Sequence, residues 1–186
     1  MKKTITIISL LAASALLAFF WVKIDTALLK KSHPLSYIET VEKCSEEYSV
    51  PKELILAVIK TESKFKSDAV SAKGAIGLMQ MTPDTFVWLC EKNSDVSNDP
   101  KFLYTPDVSI RYGTYYLDIL YSEFGSWETV LAAYNAGPAN VRKWLDNPEY
   151  SNGDTLFHIP YKETREYVEK VMAVKKKYAE LYFEEN

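Results

Sequence analysis

Ile55-Leu56-Ala57-Val58-Ile59-Lys60-Thr61-Glu62-Ser63 decides how the rest of the chain is read. Ile55, Val58, Ile59 and Glu62 fall at i, i+3, i+4 and i+7, the spacing of one face of an α-helix. The pattern therefore puts a carboxylate in line with three aliphatic side chains. Such a carboxylate is desolvated, which raises its pKa and favours its protonated form. The partial negative charge of a helix C-terminus pushes the same way. A carboxyl that holds its proton near neutral pH can serve as a general acid. The plainer alternatives are a Glu that swings out to solvent as the helix ends, or one paired with a buried cation.

The same helical period recurs on both sides of this stretch. Leu35, Ile38, Val41, Cys44 and Tyr48 predict an amphipathic helix over 34–49, and Pro51 opens the helix that ends near Glu62. Lys64–Lys73 is polar and reads as a loop, and Gly74 and Gly77 break any regular helix after it. Thr82-Pro83-Asp84 carries a cap hydroxyl, a proline at the first helical position and an acid in the first turn, so a helix starts there and runs to about Glu91. Residues 93–104 read as a long loop. Thr105-Pro106-Asp107 repeats the start signal for a helix to about Phe124. Gly125 ends it, Ser126 caps the next, Gly137 stops that one, and Pro138 begins a short helix with Val141, Trp144 and Leu145. A loop follows, with Asn152-Gly153 as its turn signal, and a final helix spans about 160–182. No run alternates as a strand does. The expectation is one all-α domain of about seven helices.

Three further segments share the region around Glu62-Ser63 with a known pattern. They are Gly74-Ala75-Ile76-Gly77-Leu78-Met79-Gln80, Ala133-Tyr134-Asn135-Ala136-Gly137, and Ile159-Pro160 followed by Glu163-Thr164-Arg165-Glu166-Tyr167-Val168. In order and spacing they resemble the motifs of the soluble-lytic-transglycosylase domain, the family 1 lytic transglycosylases: Glu-Ser, Gly-Leu-Met-Gln, Ala-Tyr-Asn-x-Gly and a late Tyr. The resemblance covers about Leu35 to Tyr182. It implies a lysozyme-like fold and non-hydrolytic cleavage of bacterial peptidoglycan strands. By that resemblance Glu62 is the catalytic acid, and Ser63, Ser71, Gln80, Tyr134, Asn135 and Tyr167 are substrate-binding or supporting residues. Ser71 stands where the family has a Ser near the muramoyl N-acetyl group, Gln80 where it has a sugar-binding Gln, and Tyr167 where a Tyr hydroxyl meets the catalytic Glu. Thr82 stands where the family commonly has Met, so one sugar contact differs.

Ordinary glycoside hydrolysis uses two carboxylates. Glu62 is the one buried candidate; Asp68 sits in a loop and Asp84 in a helix's first turn, where solvation or capping explains each. A single acid fits a transglycosylase, because the attacking hydroxyl belongs to the substrate. Two alternatives stand beside this. One is a hydrolase of the goose-type lysozyme kind, with Asp68 or Asp84 as second acid. The other is a non-enzymatic peptidoglycan-binding envelope module, against which the combination of Glu62, Ser63, Gln80 and Tyr167 argues.

Composition narrows the setting. With 186 residues, 47% hydrophobic and 25% charged, the chain suits one domain plus appendages. Its net charge is −3, and beyond Lys2 and Lys3 it has 20 basic residues against 25 acidic, which argues against nucleic acid as a partner. Thr4–Val22 has no charge and is roughly 28 Å long as a helix, against a hydrocarbon core of ~30 Å. Its end, Ala18-Phe19-Phe20-Trp21, makes a poor cleavage site and a good interfacial belt. The expected organisation is a membrane anchor or signal segment over 1–22, a linker over 23–33 and a catalytic domain over 34–186. An uncleaved single-pass anchor with the domain outside the cytoplasm is favoured over secretion after cleavage. Cys44 and Cys90 fit two buried thiols at least as well as a disulfide. His33 and His158 are isolated, so neither metal nor cofactor is expected.

Overall fold

A computed structural model describes residues 21, 26–95 and 97–184. The chain divides into two compact units, Met1–Pro34 and Leu35–Asn186. In the first, the expected anchor lies outside the described residues apart from Trp21. Residues 26–32 are helical, where the sequence reading has an unpatterned linker. The cause is local: Ala27, Leu28, Leu29, Lys30 and Lys31 are all strong helix formers. Among the described residues no helix is long and apolar enough to cross a membrane.

The second unit is all-helical among its described residues. Helix α1, Ile38–Tyr48, begins four residues later than Pro34, because Tyr37 takes a left-handed conformation at φ 61°. Ser49, at φ 55°, ends it. Helix α2, Lys52–Glu62, has Leu54 through Ile59 buried without a break. It is enclosed on all sides rather than along one stripe, which is the state of a central core helix. Helix α3, Pro83–Lys92, is capped by Thr82, whose hydroxyl accepts from Thr85 N at 3.3 Å. The segment read as a long loop contains a 3-10 helix, Pro100–Tyr104, capped by Asp99 at Lys101 N. Asp99-Pro100 is itself a start signal.

Helix α4, Pro106–Phe124, is the longest among the described residues. Thr105 precedes it without a side-chain cap bond, unlike Thr82. Gly125, at φ 69°, lets the chain turn into α5, Trp127–Ala136, which Ser126 caps. Helix α6 is Pro138–Leu145 and α7 is Lys162–Tyr178, continued by a π-helical turn over Ala179–Phe183. Among the described residues, isolated antiparallel bridges stand in place of strands: Val70 with Ile76, Ile76 with Met81, and Ser151 with Leu156.

Two hydrophobic clusters make the core. The larger joins α1, α2, α4, α5, α6 and α7; the smaller joins Met81, Phe86, Leu89, Cys90, Leu103 and Tyr112. Tyr116 packs against both. A junction between two apolar clusters cannot itself be closed by either, so it is the natural place for a groove. Cys44 and Cys90 are free, buried, and belong to different clusters.

Candidate active site

Glu62 is the last residue of α2, and the chain leaves the helix there through Lys64 and Phe65, both at positive φ. Burial pushes the Glu62 carboxyl up to about 7; the Tyr167 hydroxyl, and after it the Lys170 ammonium, pull it back. Among the described residues no second carboxylate figures in this shift. Asp68 and Asp84 are both solvent-exposed.

Two tyrosines from other helices share this region. Tyr167, on α7, has a buried hydroxyl that completes no hydrogen bond in the geometric sense. It still lies close enough to Glu62 to favour the ionised carboxylate, and burial together with the Glu62 charge holds Tyr167 itself well above the usual phenol range. The approach is a hydrogen bond short of good alignment, as in catalytic sites that tighten only around substrate. Tyr134, on α5, is raised by burial, then by Glu62, then by Tyr116. Helices α2, α5 and α7 thus converge on one carboxyl.

The Gly77-Leu78-Met79-Gln80 turn supplies the next wall. Gly77 sits at φ 81° with the Leu103 carbonyl where a Cβ would stand, so only glycine fits. Gln80 also adopts a left-handed conformation, φ 49°. Its Nε2 donates to Ala69 O at 3.1 Å and Gly77 O at 2.9 Å, which ties the side chain to the loop before it. Met79 is fully buried; its N–H donates to Ser109 Oγ at 3.2 Å and its carbonyl accepts from the Tyr134 hydroxyl at 2.7 Å. The Tyr134 proton is therefore spent inside the protein, and what Tyr134 offers a ligand is its ring.

A cavity of about 270 Å³ brings together Gln80, Tyr134 and Asn135 with Thr82, Thr85 and Tyr116. Glu62, Ser63, Ser71 and Tyr167 do not line it; Glu62 is linked to it through Tyr134. Asn135 accepts from Thr164 Oγ1 at 2.8 Å, which ties the end of α5 to the start of α7. Ser63 is buried and donates to Ile59 O at 3.1 Å, so its hydroxyl finishes the helix. Ser71 accepts from Ala75 N at 3.0 Å while its own N–H donates to Ala75 O, closing the loop ahead of Gly77. Tyr116, Thr85, Ser109 and Thr164 escaped the sequence reading. Each sits on a helix face whose pattern signals packing, and only the tertiary meeting of elements brings it to the site. Among the described residues no group of three or more His, Cys, Asp or Glu side chains could hold a metal ion.

Helices α2, α5 and α7 thus bring a carboxyl with a raised pKa and two tyrosines into one neighbourhood, beside a groove of about 270 Å³. The chain belongs to the transglycosylase SLT domain family, whose pattern matches residues 39–157. It is 34% identical over 149 residues to the soluble lytic murein transglycosylase of Escherichia coli, covering 78% of this chain and 23% of that protein. It is 32% identical over 165 residues to the membrane-bound lytic murein transglycosylase C of Actinobacillus pleuropneumoniae, covering 76% of this chain and 45% of that one. The chain therefore spans under half the length of these relatives. The fold matches the lytic transglycosylase Slt of Pseudomonas aeruginosa, solved as an inactive glutamate-to-glutamine mutant, with a TM-score of 0.73 at 34% identity over 82% of this chain and 25% of the other.

Proposed function

We propose that this protein is a peptidoglycan lytic transglycosylase that cuts the β-1,4 bond between N-acetylmuramic acid and N-acetylglucosamine. The observation that carries the reading is Glu62: one buried carboxyl with a pKa near 7, on which no second acid acts among the described residues. Protonated Glu62 gives its proton to the glycosidic oxygen as the C1–O bond breaks. The resulting carboxylate takes the proton of the muramoyl 6-hydroxyl, whose oxygen bonds to C1. The products are a 1,6-anhydromuramoyl end and a free 4-hydroxyl on the glucosamine, with Glu62 reprotonated. Water is neither consumed nor released. Holding the 6-hydroxyl against C1 replaces a bimolecular attack with an intramolecular one. Tyr167 orients Glu62 and favours its charged form in the second half of the reaction. Gln80, Tyr134 and Asn135 line the sugar groove, while Ser63 and Ser71 fix the backbone that presents it.

The Glu62→Gln variant should lose roughly a hundred- to ten-thousandfold in rate, as removal of a general acid–base group does, while still binding glycan. The test is digestion of purified sacculi followed by mass analysis. Anhydro ends support the reading. Reducing ends would make the protein a muramidase, and binding without scission a wall-attachment module.

The reading extends to location. Residues 4–22 anchor the chain in the cytoplasmic membrane, and the domain acts on the wall outside it. The support is the uncharged run with its aromatic end, together with a relative named membrane-bound. Carbonate washing of membranes should leave the full chain in the pellet; release into the wash would remove the anchor.

A further inference from the structure

The groove that holds Gln80, Tyr134 and Asn135 does not end at Pro138. Thr85, Tyr116 and Pro138 also wall a second bay of about 480 Å³, which continues toward Trp88, Lys92 and Arg142. A line of aromatic rings runs along the floor of both. Tyr134 meets Tyr116 at 5.5 Å between ring centroids, and Tyr116 meets the edge of Trp88 at 6.2 Å and 78°. The line starts within the field of Glu62 and ends at a tryptophan that is 44% exposed. An indole left this open beside a buried cluster, in a concave wall, is available surface rather than core.

The rim decides what the bay would take. Arg142 is held by Glu123 in a two-pronged ion pair, Nε to Oε1 at 2.5 Å and Nη2 to Oε2 at 2.9 Å. Asp84 stands on the same wall, and Lys92 places its ammonium 5.9 Å from the Trp88 ring. The four charges cancel. A bay with no net charge has no pull on a phosphate or a carboxylate-rich peptide. An aromatic floor with fixed donors and acceptors at the edge matches a pyranose instead: its C–H face lies on the ring and its hydroxyls meet the rim.

We infer that Trp88 floors a distal site for a further sugar ring of the same glycan strand, so that the protein senses strand length beyond the disaccharide being cut. This rests on the glycan-cleaving reading above. Trp88 belongs to none of the motifs that mark the family in this sequence, and the continuity of the two cavities is what assigns the occupant.

The test measures binding without turnover. The full chain carrying Glu62→Gln is titrated with glycan strands of defined, increasing length, freed of stem peptides, and in parallel with strands that keep them. Affinity should rise with length to a plateau. Adding Trp88→Ala should lower affinity for the longest naked strands roughly three- to tenfold, and Trp88→Phe should recover most of that. The proposal is overturned if Trp88→Ala changes nothing, if it weakens every length equally, or if only the peptide-bearing strands lose affinity, which would make the stem peptide the occupant. Separately, sacculi left uncut by the unmutated protein would overturn the reaction assigned to Glu62, while length-dependent binding at Trp88 would still be read from the titration.

Discussion

At the scale of one residue, Glu62 places function against stability. Its carboxyl has a raised pKa, so the sign of its effect on folding is fixed. Below about pH 4.5 both folded and unfolded chains keep the proton and the group is neutral in the balance. Between there and pH 7 the unfolded chain releases a proton that the folded one retains, and folding is progressively penalised. The full penalty, on the order of 3 kcal/mol at most given that the side chain keeps a solvent-facing edge, is reached above pH 7. Glutamine does not titrate. Glu62→Gln should therefore gain stability over the parent by roughly 2–3 kcal/mol more at pH 8 than at pH 5. Denaturant melts at the two pH values measure this, and an equal difference at both would mean a solvated carboxyl. The same titration shapes the rate, which should fall tenfold per pH unit above about 7 as the acid form is depleted. Tyr167→Phe makes a contrasting case. It removes a buried hydroxyl with no completed hydrogen bond, so stability should hold or rise by about 1 kcal/mol. It also removes the contact that favours the ionised Glu62, so the alkaline limb of the rate profile should move upward. An unmoved limb would assign Tyr167 to packing alone.

At the scale of elements, the sequence shows whatever depends on period and hides whatever depends on meeting. The helix ending in Glu62 is legible because aliphatic residues recur every three or four positions up to the acid. The cap at Thr82 and the stops at Gly125 and Gly137 are legible because their chemistry is local. The start of α1 is not, since Tyr37 takes a left-handed conformation there while Leu35, Tyr37 and Ile38 all pack against the core. The groove floor is also hidden, because Tyr116 acquires its place by touching two clusters at once. Gly113 shows the same limit from the other side. Glycine inside a helix costs about 1 kcal/mol against alanine, a signal that something must come close. The sequence does not say what. It is Met79, whose Cβ and Cε would both stand 2.8 Å from an added Cβ. Met79 is fully buried and positions the carbonyl that holds Tyr134, so it has no room to yield. Gly113→Ala should therefore destabilise by about 1–3 kcal/mol despite its better helix propensity, and should lower activity by displacing Tyr134. A stabilised, fully active variant would show that α4 and the Gly77–Gln80 turn can part without cost.

At the scale of the molecule, the family pattern ends at residue 157 while the structure does not. Helix α7 lies wholly beyond that limit, yet it carries Tyr167 to the carboxyl, ties Thr164 to Asn135, and packs on α2 and α5. Its buried side chains include Val168, Val171 and Tyr178. Each fully buried apolar side chain contributes ~1.5–3 kcal/mol, so these three together approach the ~5–15 kcal/mol that keeps a domain folded. Removing α7 would also open α2, the helix enclosed on every side, along its whole length. A chain ending at Tyr161 should then lose its cooperative unfolding transition, and with it activity. Retaining the near-ultraviolet signal and a sharp melt would mean that residues 35–161 form an independent core. In that event α7 would serve only to present Tyr167, and the truncated protein would keep groove binding.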